Sequence, residues 1–200
     1  ERYQKPVARD EILILVSGVW YLISMNQLHL KLKEQFPDAV TEVHANHGDE
    51  TAVIKREALL EIAHALRNDP VFDMNVLMDL TAVDGLEMHW PPLSNSSGKA
   101  SLAKGGKPRF EMVYHFYSLS HNQRLRIKTR VDLKDLIVPS LTPFWPIANW
   151  FEREVWDMYG IRFDGHPDLK RILLYEEFSG HPLRKDYPVN KRQPLIGPRN

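Results

Sequence analysis

The chain has 200 residues, 43 % of them hydrophobic, and its 26 basic residues balance 26 acidic ones. That is enough apolar content for one cored domain with an extension, and a net charge of zero gives no global field to draw in nucleic acid or an anionic membrane. The complete lack of cysteine excludes disulfides, cysteine nucleophiles, cysteine-based zinc sites and cysteine-ligated iron–sulfur clusters.

In chain order, residues 12–25 form a 14-residue apolar run broken only by Ser17, Gly18 and Ser24. A membrane-spanning helix needs roughly 20 such residues, so the run is too short to span. As a secretory signal it has Asp10 and Glu11 in the wrong place and no A-x-A cleavage site after it. Residues 1–23 therefore read as an apolar N-terminal extension, a buried strand or a segment that docks on a partner. Ser24 and Gln27 have capping-box spacing, and Met25, Leu28, Leu32 and Phe36 line one face of a helix that Pro37 stops. Residues 40–45 and 51–55 are strands around Asn46-His47-Gly48-Asp49, and a second helix over 57–67 turns Leu59, Ile62, Ala63 and Leu66 inward. A strand over 76–83 closes at Asp84-Gly85. Residues 91–107, rich in Gly, Ser, Pro and Lys, have no periodicity and predict a mobile loop.

Residues 110–119 and 124–131 are strands joined by Ser120-His121-Asn122-Gln123. In the second, Leu125, Ile127, Thr129 and Val131 alternate with Arg124, Arg126, Lys128 and Arg130. A charged helix follows over 148–159, with Phe151, Val155 and Met158 as its apolar stripe and Gly160 at its C-terminal stop. The order predicts an α+β domain over residues 24–160, with an antiparallel or mixed sheet covered by helices on one face. An extended C-terminal tail follows over 161–200.

Several chemistries can be read from these residues. The basic face of Arg124, Arg126, Lys128 and Arg130, beside Tyr114, Phe116 and Tyr117, could be a platform for single-stranded nucleic acid. No RNA-recognition signature accompanies it, and a one-sided basic strand is more often a solvated or partner-facing surface. His44 with His47, and His166 with His181, invite a metal, yet none has metal-ligand spacing, and Gly-His-Pro is first a turn sequence. Glu152 and Glu154 point about 200° apart on a helix, so they cannot share a substrate. What remains is an interaction protein. Trp150 and Trp156 flank the charges of the last helix, as in a buried contact between two chains, or the helix packs on its own sheet with a solvated outer face. Eight of the 14 prolines lie from Pro139 onward. Residues 146–183 carry seven acidic against four basic residues, and residues 184–200 five basic against one acidic. Proline excludes helix and central strand there, so the tail is disordered or takes its backbone partners from another chain.

The long, ordered run Glu152-Arg153-Glu154, Trp156-Asp157-Met158-Tyr159-Gly160-Ile161, Phe163, His166-Pro167, Leu169, Arg171-Ile172-Leu173 and Gly180-His181-Pro182-Leu183-Arg184-Lys185-Asp186-Tyr187-Pro188 resembles the signature of the 30 kDa, C-type subunit of respiratory complex I. This is the proton-pumping NADH:quinone oxidoreductase. Weaker similarity reaches Phe36-Pro37-Asp38-Ala39-Val40, so the resemblance spans about residues 28–192. It implies a peripheral-arm subunit with no cofactor, no active site and no small-molecule ligand of its own. FMN, iron–sulfur clusters and quinone would sit in partner subunits. The partners implied are the quinone-pocket subunit of D type and the iron–sulfur subunits of B and I type. The interface residues expected are Trp150, Glu152, Arg153, Glu154, Trp156, Asp157, His166, Arg171, His181, Arg184, Lys185, Asp186 and Tyr187. The place implied is the cytoplasmic face of the bacterial inner membrane, peripherally, or the matrix side in a eukaryote. Related subunits of membrane-bound hydrogenases and formate hydrogenlyases remain an alternative.

Overall fold

A computed structural model describes residues 11–16, 19–24, 27–86 and 108–195. The apolar N-terminal run becomes two strands, β1 (Glu11–Val16) and β2 (Val19–Ser24), paired antiparallel from Glu11 opposite Ser24 to Val16 opposite Val19. Ser24 therefore ends a strand and does not cap the next helix. Helix α1 (Leu28–Gln35) starts after Gln27, whose side chain makes no capping bond. The loop expected over 91–107 lies outside the described residues.

Strands β3 (Val40–Asn46) and β4 (Asp49–Ile54) form a hairpin whose two-residue turn has positive φ at both positions, 55° at His47 and 87° at Gly48. A turn of this kind matches the twist of the flanking strands, and glycine is its cheapest second residue. A short 3-10 turn over Arg56–Ala58 leads into α2 (Leu59–Asn68). This helix buries Leu59, Ile62, Ala63 and Leu66, the face its periodicity predicts. Strands β5 (Val76–Asp84), β6 (Phe110–Ser118) and β7 (Gln123–Val131) form an antiparallel meander. The order across the sheet is β3-β4-β7-β6-β5, and β4 runs parallel to β7, so the sheet is mixed. A small parallel pair, β8 (Ile137–Pro139) with β9 (Arg162–Asp164), brackets α3 (Ala148–Tyr159).

One apolar cluster joins all three helices to one face of the sheet. Leu28 and Leu32 from α1, Ile62 and Leu66 from α2 and Val155 from α3 meet Ile54, Leu80, Tyr114, Phe116 and Ile127. Trp145 inserts between α3 and the sheet, 4.8 Å from the Phe116 ring centroid, and its indole N–H donates to the Met74 carbonyl at 3.0 Å. The alternation in β7 is realised as predicted: Leu125, Ile127, Thr129 and Val131 are buried, and the four basic residues face the other side.

That other side is not a free basic platform. Arg126 pairs with Asp49 at 3.0 Å, Lys128 with Glu111 at 2.7 Å and Arg130 with Glu42 at 3.6 Å. Tyr114 and Phe116 lie on the opposite face, wholly inside the core. Two of the three aromatics of that possible nucleic-acid platform are thus separated from the cations by the thickness of the sheet, and only Tyr117 shares their face, with the Arg124 guanidinium 5.9 Å from its ring.

Candidate functional site

Helix α3 is covered on two sides. The sheet covers Ala148, Val155 and Met158, and residues 171–187 of the tail fold back over the side that carries Asp157. Gly160 ends the helix in the left-handed conformation at φ 75°. A side chain there would collide with His181 and Arg184, since a Cβ would stand 2.5 Å from His181 Nε2 and 2.6 Å from Arg184 Nη2. Glycine is required both by the backbone and by the close approach of the tail.

Asp157 holds the tail. Its Oδ2 accepts the backbone N–H groups of Ile172, Leu173 and Leu174 at 3.2, 3.0 and 2.9 Å, and its Oδ1 pairs with the Arg171 guanidinium. Burial works against its charge, but the Leu174 N–H, Arg171 and the other two N–H groups together keep its pKa below the usual carboxylate value. Arg171 also donates to the carbonyls of Phe178 and Gly180, while Trp156 and Phe178 lie within cation–π range of it. His181 donates Nδ1–H to the Asp157 carbonyl at 3.0 Å, and Arg184 Nε donates to the Tyr159 carbonyl. Arg153 donates to the carbonyls of Lys170 and Arg171 and lies over the Trp150 ring. His166 accepts the Asp168 N–H at Nδ1, closing its own turn, and meets the Asn149 carbonyl with Nε2, tying that turn to α3. Tyr187 stacks on Phe178 and packs against Gly180.

Glu152 is buried on the opposite side. Its Oε2 accepts the Ser140 hydroxyl and its Oε1 the Leu141 N–H, each at 2.7 Å, which ties α3 to the segment after β8. Burial pushes its pKa up to about 7 against the pull of those two bonds, and its charge acts with burial to raise the nearby Tyr114 hydroxyl.

A third anchor joins Asp186, already a candidate from the sequence, to Asp84 and Arg109, which sequence reasoning passes over. Arg109 binds Asp84 through two nitrogens, Nε at 2.9 Å and Nη2 at 2.6 Å, and reaches Asp186 at 2.9 and 2.7 Å. Asp84 also accepts the N–H groups of Leu86 and Lys185. Burial opposes the Asp84 charge, yet Arg109 and the two N–H groups keep its pKa below the usual value. The clue in the sequence was that Asp84 stands in phase with the buried Leu80 and Ala82.

Interface contacts were expected of Glu152, Arg153, Asp157 and Arg171. Within the chain, Arg153, Asp157 and Arg171 are engaged by the tail, and Glu152 by Ser140 and Leu141. Within the tail, the backbone N–H groups of Ile172, Leu173, Leu174, Leu183 and Lys185 find acceptors in the rest of the chain. Trp150, at 58 % exposure, and Glu154 remain on the outer surface of α3. Among the described residues no group of three or more His, Cys, Asp or Glu side chains could hold a metal ion, and no helix is long and apolar enough to cross a membrane.

A mixed sheet carrying helices on one face, with an irregular tail anchored by buried carboxylates, defines a domain whose charged side chains serve architecture. The family described as respiratory-chain NADH dehydrogenase, 30 Kd subunit, matches residues 52–193, and the chain belongs to this family. It is 40 % identical to the NADH-quinone oxidoreductase C 2 subunit of Rhizobium etli over 84 % of this chain and 79 % of that one. With the NADH-quinone oxidoreductase C subunit of Citrifermentans bemidjiense the identity is 38 %, covering 86 % and 96 %. Among solved structures, a trypsin-resistant fragment of Nqo5 superposes with a TM-score of 0.55 at 29 % identity, covering 72 % of this chain and 99 % of the fragment. A chain of an archaeal membrane-bound sulfane sulfur reductase shares the fold, with a TM-score of 0.58 at 20 % identity, covering 82 % of this chain and 85 % of that one.

Proposed function

We propose that the chain is a peripheral-arm subunit of a proton-pumping NADH:quinone oxidoreductase and holds the quinone module together without a cofactor or an active site of its own. Its relatives' designation as the C subunit of that enzyme supports the reading. FMN, iron–sulfur clusters and quinone belong to the neighbouring subunits, and the whole assembly is membrane-bound at the cytoplasmic face. The quinone-pocket subunit of D type is the main partner, with iron–sulfur subunits of B and I type beside it.

The observation that carries this reading is the apolar surface left over once α3 and the tail have packed together. Ile147, Trp150, Leu173 and Leu183 are exposed large hydrophobic side chains on α3 and the tail, and Glu154 and Lys185 are exposed charged residues of the same two segments. Exposed aromatic and aliphatic side chains in company with charge have the composition of an interface between subunits. The test is to tag the chain, extract membranes gently and identify what co-purifies at native size. Flavin, iron–sulfur subunits and NADH:quinone activity in one large particle support the proposal. A lone monomer, or nickel–iron subunits in place of the flavin subunit, overturns it.

A further inference from the structure

We propose that Arg184, with His181 beside it, is the seat of an ion pair between subunits, and that the group it receives is a carboxylate of the neighbouring chain. This rests on the subunit reading above and adds the chemistry of the contact. Arg184 is half-buried, with Nε donating to the Tyr159 carbonyl and the guanidinium lying over the Phe110 ring at 5.6 Å. These two contacts fix the plane of the group. They leave Nη1 and Nη2 with no hydrogen-bond acceptor and no ion-pair partner among the described residues. A guanidinium presents those two nitrogens as a fork that matches the two oxygens of a carboxylate.

The acids in the neighbourhood are already committed. Asp84 and Asp186 both close on Arg109, at 2.6 and 2.7 Å. Burial and the adjacent Arg109 charge hold the pKa of Arg184 below the usual arginine value, ahead of the opposing pull of Asp186 and Asp84. Its charged form is therefore under-compensated within the chain, which an arriving anion would correct. His181 points the same way. With Nδ1–H committed to the Asp157 carbonyl, its Nε2 packs with Arg184 Nη2 against Gly160. A carboxylate arriving at Arg184 would also favour a proton on that nitrogen and so gain a second donor. The segment that carries Arg184 is cationic, since residues 184–192 hold Arg184, Lys185, Lys191 and Arg192 against Asp186 alone. The complementary partner surface is acidic.

The experiment uses Arg184→Lys in the assembled complex extracted from membranes, treated with a carbodiimide that joins amines to carboxylates without a spacer. Mass spectrometry is expected to find position 184 joined to an Asp or Glu of another subunit. Cross-links only to Asp84 or Asp186, or none although Lys185 reacts, would overturn the inference. Should Arg184→Lys fail to enter the complex, the unaltered complex is treated with the arginine reagent phenylglyoxal. Arg184 is then expected to react roughly tenfold more slowly than in the isolated full chain, as a buried, paired charge should. Equal rates would overturn the inference. Absence of the unaltered chain from any NADH:quinone oxidoreductase would instead overturn the subunit reading, and this inference with it. The two failures are separable because cross-linking is scored only on chain that co-purifies.

Discussion

Glu152 and Asp157 lie five residues apart on one helix, both with 0 % exposure, yet their carboxyls are driven in opposite directions. Both lose water. Asp157 receives a guanidinium and three N–H groups in return, whereas Glu152 receives one hydroxyl and one N–H. Burial alone therefore does not decide whether a carboxyl stays charged; the number and charge of the donors that replace water do. The two positions are about 140° apart around the helix. One faces the segment after β8, which offers a hydroxyl and one N–H. The other faces the tail, whose turn over residues 172–174 offers three.

The contrast is broken most severely at Asp157. Asp157→Ala strands Arg171 and three backbone donors, and is expected to cost about 3–5 kcal/mol of stability in denaturant unfolding. Asp157→Asn keeps the shape and one acceptor oxygen and should cost clearly less; an equal loss would mean that the charge itself, rather than shape or the remaining acceptor, matters there.

Glu152 sharpens the comparison through pH. The folded state holds its proton more tightly than a free carboxyl near 4.5, so it binds more protons than the unfolded chain between about 4.5 and about 7. This contribution is fully present below that window and is lost as pH rises through about 7, amounting to roughly 3 kcal/mol over the window. Asp157 has the opposite sign, with stability present above its ordinary value and lost only in stronger acid. His115 and His181, both pushed below the ordinary histidine value chiefly by burial, add stability as pH rises through the neighbouring range. The useful quantity is thus the difference between the natural chain and Glu152→Gln, which should grow in the variant's favour from pH 5 to pH 8. A difference that does not vary with pH would show that Glu152 stays ionised.

Smaller effects are expected at the edges of the same helix. Gly160→Ala places a Cβ against His181 and Arg184 at positive φ and should cost about 1–2 kcal/mol, with proteolysis of the tail as a second readout. Glu154→Ala is expected to leave unfolding within about 0.5 kcal/mol, because the residue is exposed, while reducing the yield of assembled complex. Lost stability with unchanged assembly would assign Glu154 to the fold.

Elements whose signal is contained within one short segment were legible in the sequence. The stripe and stop of α3 and the alternation of β7 needed no other part of the chain to be read. Pairings between distant segments were not. The Asp84–Arg109–Asp186 anchor joins residues 25 and 77 positions apart, and no local pattern marks such partners. Ser24 had cap spacing, but strand pairing with Glu11 claimed it. Tyr114 and Phe116 were placed beside the basic residues of β7, whereas the register sets them opposite Ile127 and Leu125 on the core face. The charged residues of α3 stand out as candidates for contact with another chain, and nothing in the helix itself announces that the tail returns to cover it.

That return has a consequence for biosynthesis. Lys185 closes on Asp84 across 101 positions of chain. At a ribosomal pace of about 5–20 residues per second, Asp84 waits roughly 5–20 s for that donor to be made. Once β7 and α3 have been made, the sheet stands without the strap over α3 until the tail follows, and Asp157, Asp84 and Arg109 lack the partners that the tail brings. The nascent chain thus passes through an interval in which an unstrapped helix is open to chaperones, and the surface formed jointly by α3 and the tail cannot be displayed to another subunit before translation has passed the tail.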